Sequence, residues 1–122
     1  MKMKKINVLL IAIMAVFVMI SCGGDDRFNE VEYFKDAQKS RIYCVQTDVN
    51  DQSELRQWAD YNAMNTTGCI TRVYFYKPGE TIPPITTSPN LARVYEELDQ
   101  SNYFIIYMKH PSGEVDIFSK TK

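Results

Sequence analysis

The chain has 122 residues, 14 of them basic and 15 acidic, with a single histidine and 12% aromatic side chains. Three of the basic residues, Lys2, Lys4 and Lys5, lie within the first 21, so the remaining 101 residues carry 11 basic against 15 acidic groups, a net charge near −4. That balance argues against nucleic acid or an anionic surface as partner, and the length is enough for one small domain but not for two.

In chain order, the lysines are followed by an apolar run, Ile6 to Ile20, broken only by Asn7. A transmembrane helix needs about 20 apolar residues, and here Ser21-Cys22-Gly23-Gly24-Asp25-Asp26 follows at once, so the pattern reads as an export signal over residues 1–21. Met19-Ile20-Ser21-Cys22 resembles the lipobox of bacterial lipoproteins: an apolar residue, a tolerated position, a small residue, then the cysteine that is acylated. The resemblance implies that Cys22 becomes a lipid-bearing N-terminus and that the chain is a lipid-anchored protein of the cell envelope. Gly23 in place of Asp favours the outer membrane, and Asp25-Asp26 is similar to the acidic stretch of surface-exported lipoproteins of the Bacteroidetes. Whether the protein faces the periplasm or the cell surface stays open.

Residues 22–40 are expected to be a tether, with a short helix suggested by Phe28, Val31, Phe34 and Ala37 at spacing three. The domain is expected over 41–122. Arg41–Val49 is rich in β-branched and aromatic residues and predicts a strand. Asp51 then predicts a helix cap, with Glu54 completing a capping box, for a helix running to about Asn65 with Leu55, Trp58, Ala59, Asn62 and Ala63 along one face. Cys69–Lys77 alternates, Val73 and Phe75 on one side and Arg72, Tyr74 and Tyr76 on the other, and predicts the clearest strand. The proline-rich stretch 80–89 excludes regular structure, after which Ser88-Pro89 predicts the start of a helix with Leu91, Val94, Tyr95 and Leu98 as its apolar stripe. Asn102–Lys109 and Glu114–Lys120 flank His110-Pro111-Ser112-Gly113 and predict a C-terminal β-hairpin. The order β-α-β-α-β-β favours a two-layer α+β, or small α/β, domain whose first two strands are parallel.

Candidate chemistry is sparse. Cys44 and Cys69 could form one disulfide or remain two free thiols, and with no C-x-x-C a redox motif is disfavoured. His110 reads as an exposed turn residue, and neither a metal-ligand spacing nor a phosphate-binding glycine pattern is present, so no metal or cofactor is expected. Tyrosine is the remaining feature: were the helices to cover one sheet face only, Arg72, Tyr74 and Tyr76 would form an outward patch suited to a protein, peptide or glycan partner. The smaller Val73 and Phe75 would then lie beneath the Leu91, Val94 and Leu98 stripe. These observations favour a non-catalytic binding module. An immunity-type lipoprotein that neutralises a toxin and a small enzyme or redox protein are the alternatives.

Overall fold

The computed structural model describes residues 26–120. The signal segment, Cys22 and the first tether residues lie outside that range. Five strands form one sheet in the order β1-β2-β3-β4-β5: β1 (Phe28–Lys35), β2 (Arg41–Thr47), β3 (Thr71–Tyr76), β4 (Ile105–Lys109) and β5 (Val115–Ser119). Helix α1 (Gln52–Asn62) joins β2 to β3, and α2 (Leu91–Asp99) lies between β3 and β4. The fold is thus mixed α+β. As the αβ crossover requires, β2 and β3 are parallel, and the other neighbours are antiparallel.

Three expectations are corrected. Residues 28–35 are an edge strand, not a helix, so the ordered domain begins near Phe28 and the element order gains a strand at its start. The helices cover opposite faces of the sheet, which makes three layers where two were expected. Leu55 and Ala59 of α1 pack with Tyr43, Val45, Val73, Phe75 and Tyr107, whereas Val94 and Leu98 of α2 pack with Ile42, Cys44, Tyr74, Tyr76 and Ile106. The stripe of α2 therefore lies over the tyrosines and not over Val73 and Phe75.

The helix boundaries follow from local chemistry. Asp51 caps α1 by accepting from the Ser53 amide at 2.9 Å. Glu54 does not close the capping box but pairs with Arg27 at 2.9 Å. The cap of α2 is Asn90, accepting from the Arg93 amide at 2.9 Å, rather than Ser88. In the hairpin, Gly113 donates to the His110 carbonyl at 2.8 Å and takes φ 96°, a conformation that glycine adopts without strain.

Candidate functional site

The sequence-predicted surface patch is part of the core. Tyr74 and Tyr76 are 0% exposed. Their hydroxyls reach polar partners at the rim of α2, which is how a buried tyrosine avoids the cost of an unmade hydrogen bond. Arg72 donates to the Tyr74 hydroxyl at 2.8 Å, and that hydroxyl donates to Asp99 at 2.9 Å. The guanidinium also stacks 3.8 Å from the centroid of the Tyr95 ring. The Tyr76 hydroxyl lies 2.6 Å from Ser101 Oγ, which in turn donates to the Leu98 carbonyl. Burial raises the pKa of both tyrosines above the ordinary phenol value, the nearby Arg72 charge offsetting only part of the effect at Tyr74. Arg72, Tyr74 and Tyr76 are brought together as expected, but as a brace between sheet and helix, with no outward tyrosine face left for a partner.

Cys44 and Cys69 are both free. The register pairs Cys44 with Tyr74, and Cys69 precedes Tyr74 by five positions, roughly 15 Å along an extended chain at about 3.3 Å per residue. A disulfide needs Cα atoms within about 7 Å, so this pair cannot close without moving the backbone. Burial, with a further contribution from Glu32, pushes the Cys44 thiol up to about 12, which leaves almost no thiolate at neutral pH. Cys69 instead donates to the Gln38 carbonyl at 2.9 Å. His110 is paired with Asp116 at 2.7 Å on the hairpin. Among the described residues, no group of three or more His, Cys, Asp or Glu is placed to hold a metal ion.

A groove of about 670 Å³ opens where the end of β1 and the β1–β2 turn face the start of α2. Phe34, Pro89 and Leu91 supply apolar lining, and Lys35, Gln38 and Ser88 polar lining. Both walls are held by side chains. Asp36 accepts from the Ser40 amide at 2.8 Å, closing a turn in which Lys39 takes φ 72°. On the other side, one oxygen of Glu32 accepts from the Ile85 amide at 2.9 Å, the Thr86 amide at 3.0 Å and the Thr86 hydroxyl at 2.8 Å. Partial burial raises the Glu32 pKa, but these three donors outweigh it and hold the carboxyl below its usual value. The groove joins segments about 50 positions apart, a juxtaposition that no local sequence motif announces.

Comparison with protein-family models, curated proteins and solved structures finds no match. The geometry of this chain alone carries the functional reading.

Proposed function

We propose that the protein is a non-catalytic binding module, held at the cell envelope through acylated Cys22, whose contact site is the groove between residues 34–38 and the start of α2. The observation that carries this reading is the lining of the groove. Its apolar side chains, Phe34, Pro89 and Leu91, are bordered by the polar side chains of Lys35 and Gln38. Around Tyr74 the hydroxyl joins Arg72 to Asp99, while Arg72 Nε and the Tyr95 hydroxyl are buried without a hydrogen-bond partner. A mixed apolar and amide-bearing groove suits a peptide or glycan segment better than a charged small molecule. The redox alternative finds little support in a thiol as buried as Cys44.

The test uses the full chain in intact bacterial cells. A photo-crosslinking residue at Gln38 should give a discrete adduct that Leu91→Arg abolishes, while the same residue at the exposed Tyr61 should not. Adducts of the same mass and yield at both positions would discard the groove. Separately, Cys22→Ala should lose acyl labelling and membrane fractionation, and equal labelling would discard the anchor. If the adduct proves to be a secreted toxin and cells lacking the protein become sensitive to it, the immunity reading replaces the general one.

A further inference from the structure

Arg41 opens β2 on the side of the sheet that Tyr43 and Val45 turn toward α1. It is 9% exposed, and a charge this deeply buried is normally paired. Among the described residues, no carboxylate lies within ion-pair distance of it. Asp60 on α1 is committed to the Tyr107 hydroxyl at 2.6 Å and to Arg56 at 3.7 Å. Glu30 shares the face but aligns with Val45, four positions and about 13 Å along the strand from Arg41.

The guanidinium makes one bond: Nη1 donates to the Thr66 hydroxyl at 2.9 Å. Nε is buried with no hydrogen-bond partner. Its N–H leaves the planar fork from the same edge as that of Nη2, for which no described residue supplies an acceptor either. The segment that carries Thr66 is held at several points. The Met64 amide donates to the Tyr43 hydroxyl at 3.0 Å, and the Thr71 hydroxyl lies 2.8 Å from Asn65 Oδ1. The Cys69 amide then donates to the Thr66 carbonyl at 2.9 Å, closing a turn whose Thr67 and Gly68 are exposed. Across the sheet Arg41 aligns with Thr71, and Thr71 with Lys109, which brings a second positive charge about 10 Å away at the backbone.

We propose that the Nε–Nη2 edge of Arg41, with the Thr66 hydroxyl beside it, binds a carboxylate admitted by the Thr66–Cys69 turn. Two parallel N–H donors match the two oxygens of a carboxylate. The Thr66 oxygen accepts from Nη1, so its proton is free to donate to the same anion. A phosphate brings more charge and more acceptors than one guanidinium, one hydroxyl and a distant lysine can meet. The net charge near −4 likewise disfavours a polyanion.

This site is separate from the groove, which opens at the start of α2. Phe28 aligns with Thr47 at the other end of β2, six positions and about 20 Å from Arg41, so the segment before β1 leaves the domain far from it. A peptide and a small organic acid can present the same two oxygens, and the test separates these sources.

The full chain, labelled with nitrogen-15 and held in detergent micelles, is titrated with sodium acetate and, at matched ionic strength, with sodium chloride. The Arg41 Nε–H and Thr67 amide signals should shift saturably with acetate and not with chloride. Thr66→Val should weaken acetate binding about fivefold, and Arg41→Lys, which keeps the charge but loses the fork, about tenfold when read at the Thr67 amide. Thr66 is a half-buried loop residue, so its variant keeps the test intact if Arg41→Lys fails to fold. Binding of N-acetyl-Gly-Gly tighter than acetate assigns the site to a peptide, and equal or weaker binding assigns it to a small carboxylic acid. The C-terminal amide of the same peptide should not bind. Chloride shifts equal to those of acetate, acetate binding unchanged in Thr66→Val, binding of the amide, or phosphate binding tighter than acetate would each overturn the carboxylate site.

Discussion

Strand β3 contributes different side chains to the two cores. Toward α1 it contributes Val73 and Phe75, which meet Leu55, Ala59 and Val45, and the buried tyrosines of that core, Tyr43 and Tyr107, come from the neighbouring strands β2 and β4. Toward α2 it contributes Tyr74 and Tyr76, each as completely buried as the valine and phenylalanine between them. The second core works because its hydroxyls emerge beside Arg72, Asp99 and Ser101 at the rim of the helix. A strand tyrosine is thus no index of exposure: what decides is whether a helix covers the ring and whether the edge of that helix offers the hydroxyl a partner.

The largest expected effect breaks the tyrosine core outright. Changing both Tyr74 and Tyr76 to Ser removes two rings of a class in which truncation of a single member costs about 3–5 kcal/mol, against a total stability of about 5–15 kcal/mol for a domain of this kind. The double variant should be largely unfolded at 25 °C by circular dichroism. A native-like urea midpoint would return these rings to the surface.

A smaller change sharpens the contrast by keeping the ring and deleting only the hydroxyl. Tyr74→Phe should destabilise by about 1–2 kcal/mol, because Arg72 and Asp99 lose the group that bridges them, and removing Arg72 in the same background should cost less than removing it from the wild type. Additive urea-denaturation costs would show that the hydroxyl and Arg72 act independently.

The α2 face should also be the more acid-sensitive. Glu32 has its pKa lowered in the folded state, so its contribution is fully present above the unfolded value of 4.5 and is lost as pH falls through the lower folded value. The residue lies half-buried on an edge strand where solvent still screens the carboxyl, so the contribution is under about 1 kcal/mol. Glu32→Gln should narrow the gap between urea midpoints at neutral and acid pH. An unchanged gap would remove Glu32 from the account.

The smallest effect concerns the thiols. Cys69→Ser should change stability by no more than about 0.5 kcal/mol, and reductant should leave the melting temperature where it was. A thiol reagent should modify Cys69 in the folded protein and Cys44 only after denaturation. A reductant-sensitive melt would show a disulfide after all.

Much of this was legible in the sequence and some was hidden for identifiable reasons. The Asp51 cap, the apolar stripe of α2, the alternation of β3 and the hairpin turn are local patterns that lie where each pattern placed them, whereas α1 ends at Asn62 rather than near Asn65 and buries Leu55 and Ala59 while Asn62 stays exposed. Strand β1 was concealed by its own bulge. With one extra residue at Val31, Phe28 lies on the α1 side and Phe34 on the α2 side, and the spacing of three between Phe28, Val31 and Phe34 imitates a helix. The side that α2 would cover was not legible either. A handedness rule governs the parallel β2–α1–β3 unit, but none governs the long connection between the antiparallel β3 and β4. The groove depends on that same connection and was hidden with it.

The clamp between Glu32 and Thr86 spans 54 positions of sequence, and this gives it a place in time as well as in space. The carboxylate and its donors can meet only after β1 has zipped onto β2 and the loop has been laid across the sheet, both of which spend chain entropy before the clamp returns anything. An interaction that forms this late is absent from the folding transition state, so losing it should leave the refolding rate of Glu32→Gln nearly unchanged and appear almost entirely as faster unfolding. The clamp would then act less on how the domain is reached than on how long the α2 face stays closed once formed.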